Sequence, residues 1–172
     1  CRQLMTYEFA RDWFTAWQED IKVGLPGKEK DFTLTNTNKM IRTYKGAIGG
    51  KTGFTQDAGY CLAEAAQRDS TRMIAVVLGC KDSKVRFAET ARLLDHGFAS
   101  YETVPVAKKG QKLRTITLPK SDQQEVAAVP EETIAATVKK GKKANITKKI
   151  SIDKSVACPV KKGEKVGTIH IY

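Results

Sequence analysis

Gly50-Lys51-Thr52-Gly53 is the densest concentration of potential chemistry in this 172-residue chain. A lysine after glycine and before a hydroxyl can cradle phosphate in the pattern G-x-x-x-x-G-K-[ST]. That pattern needs glycine at position 45, where the chain has Lys45; Gly46 comes one place too late. A phosphate loop also opens a helix, whereas Ile48-Gly-Gly-Lys-Thr-Gly-Phe-Thr55 reads as a glycine-rich strand running on past the motif. Spacing and context therefore exclude the phosphate loop, and a strand open to close backbone approach by a ligand remains. Elsewhere, His96 and His170 lie far apart without acidic partners at ligand spacing, and the four cysteines (Cys1, Cys61, Cys80, Cys158) form no C-x-x-C pair. No metal and no cofactor is expected. Cys61 and Cys80 lie within apolar runs and read as buried thiols acting as small hydrophobes.

The elements that must hold position 51 can be read from periodicity. Apolar residues Ala10, Trp13, Phe14, Trp17 and Ile21 repeat at helical spacing, predicting a helix within residues 2–21 that ends before Gly24 and Pro26. Gly24–Asp31 reads as a surface loop, and residues 32–38 as polar but ordered. After Ile48–Thr55 come two further strands, Gly59–Ala66 and Arg72–Gly79, joined by the turn Gln67–Ser70. A second helix follows, capped by Asp82 or Ser83 and stopped just before Gly97, with Phe87, Ala88, Ala91, Leu94 and Phe98 as its stripe. The order implies an α+β fold: an antiparallel sheet with helices packed on it. Beyond Val104 the period is two almost throughout, with strands predicted over 111–118, 125–129, 133–138, 144–150 and 165–171. Turns are expected at Lys109-Gly110, Lys140-Gly141 and Lys162-Gly163. This is the pattern of a small all-β sandwich, and the domain boundary is placed near residue 103, giving domains 1–103 and 104–172.

Charge divides along the same line. Residues 1–103 hold 15 basic and 13 acidic residues, net +2, whereas 104–172 hold 15 and 6, net +9, within a total of +11. Such a surface suits polyanions such as anionic lipid headgroups or wall polymers, unless its lysines merely guard strand edges. Nucleic acid is disfavoured, because Tyr172 is the lone aromatic of the basic part and no stacking platform exists. No apolar run approaches the length a membrane helix needs.

Lys51-Thr52-Gly53 is embedded in a longer match. Leu34-Thr-Asn-Thr-Asn-Lys39, Gly46-Ala-Ile-Gly-Gly-Lys-Thr-Gly-Phe-Thr55, Ala58-Gly-Tyr-Cys-Leu62 and Met73-Ile-Ala-Val-Val-Leu-Gly79 closely resemble D-alanyl-D-alanine carboxypeptidases, the low-molecular-mass penicillin-binding proteins. The resemblance continues through Arg86-Phe-Ala-Glu89 to Leu94 and Gly97, and the β-rich tail is similar, less specifically, to the basic C-terminal domain of the same enzymes. It implies that residues 1–103 are the C-terminal part of a β-lactamase/transpeptidase-like catalytic domain. The implied enzyme is a serine DD-peptidase that trims the terminal D-alanine from peptidoglycan pentapeptides through an acyl-enzyme, is acylated by β-lactams, and works on the outer face of the cytoplasmic membrane.

Carried over by position, the resemblance makes Lys51 the electrostatic and substrate-binding lysine, facing a cleft. Thr52 and Gly53 line the same edge, Thr55 lies near the substrate carboxylate, and Arg86 helps recognise that carboxylate. Arg86 falls in the first turn of its helix, where the dipole disfavours a cation, which fits a functional placement. The alternative is a solvated arginine paired with Glu89 or Asp82.

Two motifs of this family do not appear. No Ser-x-Asn occurs, and the one Ser-x-x-Lys, Ser151-Ile-Asp-Lys154, alternates with Ile150 and Ile152 at strand spacing. Residues three apart on a strand point to opposite faces, so Lys154 cannot activate Ser151. The nucleophile is thus expected in a preceding half of the catalytic domain, a further partner of this chain, and residues 1–172 alone are expected to be inactive. The competing reading is a non-catalytic wall- or membrane-binding module that works through its basic β-domain.

Overall fold

A computed structural model describes residues 1–118, 124–153 and 159–172. Its backbone separates into two compact units, Cys1–Ser100 and Tyr101–Tyr172.

The first unit opens with a 3₁₀ turn, Leu4–Thr6, and helix α1, Glu8–Thr15. The helix predicted within residues 2–21 therefore stops early. Trp17 and Ile21 leave it, and Gln18–Val23 is instead strand β1, paired antiparallel with β2, Lys30–Thr35, with Ile21 opposite Phe32. The reason is tertiary. Asn36 Nδ2 donates to the carbonyls of Phe14 at 3.2 Å and Ala16 at 2.9 Å, capping orphan groups at the helix end from a residue the periodicity cannot see. The hairpin turn needs Gly24, whose φ is +136° and where a Cβ would stand 2.7 Å from the Lys28 carbonyl oxygen. Of the proposed stripe, Ala10 is buried and Phe14 packs on Gly49, but Trp13 is 73% exposed.

A short helix α2, Met40–Thr43, leads into β3 (Ala47–Thr55), β4 (Gly59–Arg68) and β5 (Thr71–Cys80), a three-stranded antiparallel sheet in that order. Leu62 and Ala66 of β4 and Ala75 of β5 join Met40, Leu94 and Phe98 in the core, with Met73, Val77, Phe87 and Ala91 packed against it. That core lies between one face of the sheet and helix α3, Ser83–Ser100. The opposite face takes Phe14 at Gly49 but leaves Ile74, Val76 and Leu78 of β5 exposed.

Helix α3 starts as expected: the Asp82 carboxylate accepts the Val85 N–H at 2.8 Å. Asp82→Ala is expected to lower stability by about 1 kcal/mol, the usual loss on removing such a cap, read as a fall in the thermal unfolding midpoint that Asp82→Ser restores. Gly97 is not past the helix end, because α3 runs on to Ser100. Glycine there allows close packing instead, since a Cβ would stand 3.3 Å from the Met73 side chain. Cys61 and Cys80 are half-buried free thiols, and Cys61 Sγ donates weakly to the Ala58 carbonyl at 3.4 Å. They are not the fully buried hydrophobes anticipated, because both lie toward one end of the sheet, beside the Ala58-Gly59 turn.

The second unit is all-β apart from a 3₁₀ turn. It comprises β6 (Tyr101–Ala107), β7 (Arg114–Thr117), β8 (Glu125–Ala128), β9 (Ile134–Lys139), β10 (Lys148–Ile152) and β11 (Gly167–Ile171), paired β6–β9, β7–β8 and β10–β11. The 3₁₀ turn, Lys143–Asn145, takes in the start of the strand predicted over 144–150, which forms only from Lys148. Gly110, Gly141 and Gly163 take φ of +74°, +78° and +87°, the left-handed turn positions that the Lys-Gly pairs foretold. Ser151 is on β10 opposite Thr168; Lys154 and Cys158 lie outside the described residues. The molecule is thus α+β, an antiparallel sheet with packed helices followed by a small all-β unit. Among the described residues no helix is long and apolar enough to cross a membrane.

Candidate active site

Lys51, Thr52 and Gly53 are in the middle of β3, which is an edge of the three-stranded sheet. One side of the strand is engaged by β4, with Lys51 opposite Ala63, Thr52 opposite Leu62 and Gly53 opposite Cys61. An edge strand presents its remaining backbone groups as a template for an extended peptide. Gly53 keeps that edge clear: a Cβ built there meets nothing within 4 Å.

Successive side chains leave opposite faces of a strand. Thr52 follows Leu62 toward the core side and is buried, its Oγ1 2.7 Å from Thr37 Oγ1. Lys51 leaves the other face, is exposed, and curls back so that Nζ donates to the Thr52 carbonyl at 2.6 Å. The wall expected to face Lys51 across a cleft is not among the described residues. Thr55 ends the strand, and its hydroxyl accepts the Ala58 N–H at 3.0 Å, closing the turn into β4.

Arg86 is neither solvated nor paired with Glu89 or Asp82. It is 5% exposed, and Glu89 pairs with Arg92 instead. Its guanidinium donates to the carbonyls of Gly53 at 3.3 Å and Cys61 at 3.4 Å and to Ser83 Oγ at 3.2 Å, and lies over the rings of Phe87 and Tyr60. One polar atom, Nε, is buried without a partner among the described residues. The structure thus gathers Thr52, Gly53 and Arg86 on the core side of one edge, with Lys51 on the other side of the same strand.

Reasoning from sequence missed the polar groups that hold this edge. Asn36, Thr37 and Asn38 form a knot before α2: the Asn36 carboxamide oxygen accepts the Asn38 N–H at 2.9 Å, and Asn38 Oδ1 accepts the Met40 N–H at 3.2 Å. Asn38 Nδ2 donates to Glu64 Oε2 at 2.6 Å, inside the protein. Glu64 is buried on β4, and burial pushes its carboxyl up to about 7, the Asn38 bond working the other way. The signal for Glu64 was present: it shares parity with Leu62 and Ala66 on a strand whose even positions are the core side.

Residues 3–82 match the family model of D-alanyl-D-alanine carboxypeptidase, and residues 101–172 match that of the C-terminal domain of penicillin-binding protein 5. The chain belongs to the D-alanyl-D-alanine carboxypeptidase family. Within it, the chain is 32% identical over 169 residues to D-alanyl-D-alanine carboxypeptidase DacF of Bacillus subtilis, covering 98% of this chain and 43% of that one. It is 34% identical over 149 residues to DacC of Escherichia coli, covering 83% and 37%. The chain therefore spans less than half the length of these family members. Among solved structures, D-alanyl-D-alanine carboxypeptidase DacD of Francisella tularensis matches at 33% identity with a TM-score of 0.50, covering 83% of this chain and 35% of that one. Penicillin-binding protein 5 of Haemophilus influenzae, at 24% identity, shares the fold with a TM-score of 0.70 over 98% of this chain and 48% of its own.

Proposed function

We propose that this chain supplies the Lys-Thr-Gly wall of the substrate cleft of a serine-type D-alanyl-D-alanine carboxypeptidase, with the nucleophilic serine contributed by sequence outside residues 1–172. The observation that carries the reading is the open edge of β3, where the motif stands with Gly53 unobstructed. A peptidoglycan pentapeptide lies along this edge as an added strand. Lys51 supplies positive potential where the terminal carboxylate and the developing oxyanion gather. Thr52 and Thr55 offer hydroxyls toward the carboxylate, and Arg86 adds its charge from behind Gly53. The serine oxygen attacks the carbonyl of the penultimate D-alanine, the peptide C–N bond breaks, terminal D-alanine leaves, and water hydrolyses the ester. A β-lactam enters the same edge and stops at the ester. Work on this substrate places the protein outside the cytoplasmic membrane, and the basic second unit suits an anionic envelope surface.

The test uses a chromogenic D-alanyl-D-alanine depsipeptide and a fluorescent penicillin. Residues 1–172 alone are expected to give neither turnover nor label. Joined behind the preceding segment of a family member, they are expected to give both, with label competed by the depsipeptide. Turnover by residues 1–172 alone, or an intact fusion that takes no label, overturns the reading.

A further inference from the structure

Behind the open edge, β4 carries a carboxyl group for which the proposed reaction has no use. Glu64 is fully buried; Oε2 accepts the Asn38 amide, and Oε1 is buried with no hydrogen-bond partner among the described residues. The carboxyl presses against the motif strand, because a Cβ at Gly50 would clash with Oε2. Asn38, 1% exposed, is next in the chain to Thr37, whose hydroxyl meets that of Thr52 at 2.7 Å. Two hydrogen bonds and one peptide link therefore connect a buried acid to a hydroxyl on the proposed substrate edge.

We propose that Glu64 is a positioning residue for Thr52: through Asn38 it sets where the 36–38 turn holds the Thr37 hydroxyl, and so how the Thr52 hydroxyl is presented at the edge of β3. The proposal rests on the reading of that edge given above. With Glu64 neutral, its proton is on the partnerless oxygen and Oε2 accepts an ordinary amide bond. When that proton leaves, Oε2 shares a full charge, the Asn38 bond becomes charge-assisted and tightens, and the turn is drawn toward β4. Among the described residues nothing else on the surrounding elements compensates the charge. Gly50 faces Glu64 from β3 and Ala75 from β5. The turn before α2 contributes Asn38, and α3 aims its buried Arg86 at the Gly53 and Cys61 carbonyls instead. Lys51 leaves the opposite face of β3. Burial and the Asn38 amide are the influences on this proton, and they place its loss near neutrality, at about 7.

Nuclear magnetic resonance of the protein from about pH 5 to about pH 9 tests the relay across the window in which this carboxyl titrates. The Thr37 and Thr52 amide signals are expected to inflect with the same midpoint as the Glu64 carboxyl carbon. In Glu64→Gln the inflections are expected to vanish. In Thr37→Val the Glu64 carboxyl is expected to titrate as before while the Thr52 inflection is lost, which keeps the test open should Glu64→Gln fail to fold. A Thr52 signal that stays flat while Glu64 titrates, or that inflects unchanged in Thr37→Val, overturns the proposal. None of these readouts needs catalysis, so a failed penicillin label leaves the relay standing and a flat Thr52 leaves the peptidase reading standing.

Discussion

Lys51→Ala, in the fusion that restores a family front half, is expected to slow acylation by fluorescent penicillin by roughly 10²–10³-fold, the usual cost of removing one preorganised electrostatic donor. The fold should barely register the change. Lys51 is exposed on its strand and, among the described residues, its side chain makes one hydrogen bond, to the neighbouring Thr52 carbonyl, so unfolding should move within about 0.5 kcal/mol. Arg86 does not substitute readily, because it is buried on the core side and engaged with the Gly53 and Cys61 carbonyls. Lys51→Arg keeps the charge but spreads it over a planar fork, and should recover only part of the rate. The measurement is the second-order labelling rate constant beside the thermal midpoint. An alanine variant that labels at the parent rate removes Lys51 from the chemistry.

Stability is expected to fall as pH rises from about 4.3 to 7, the reverse of what a paired carboxylate gives. The Glu64 carboxyl is raised to about 7 in the folded protein by burial, against about 4.3 in an unfolded chain. Between those values the folded state holds a proton that the unfolded state has released. Glu64's contribution is therefore fully present below the lower value and lost through the upper one, by roughly 4 kcal/mol in total. Urea midpoints for the parent and Glu64→Gln, compared at about pH 4.5 and about pH 8, isolate this group from other carboxylates. The parent should lose stability relative to the variant at the higher pH. Parallel curves would mean that Glu64 is ionised in the native state throughout.

The parts of this molecule that were legible in the sequence are those decided locally. Strands β3, β4 and β5, the Asp82 cap of α3 and the Lys-Gly turns of the second unit follow from alternation and turn chemistry, and the structure has them where they were expected. The failures share one cause: a distant residue outvoted a local pattern. Helical spacing ran on past Thr15, but Asn36 closed the helix from 20 or more residues away. Gly97 carried the mark of a helix stop, yet its missing side chain lets Met73 on β5 pack close against α3. At the candidate site, the residue types of Lys51-Thr52-Gly53 announced themselves. Arg86 was expected at a carboxylate or in solvent, and its partners across the sheet, the carbonyls of Gly53 and Cys61, are backbone groups that no residue pattern reveals.

The face of β5 that bears Ile74, Val76 and Leu78 has a practical consequence for handling the protein. These side chains are exposed on a strand with no neighbour on its outer side among the described residues, an arrangement that invites edge-to-edge pairing between molecules. The deterrent is mutual repulsion from a net charge of +11, of which the first 103 residues contribute only +2. Repulsion of that kind is screened by salt while apolar attraction is not. Concentrated samples will therefore keep best in dilute buffer, and salting them, the habitual remedy for a basic protein, will promote clumping.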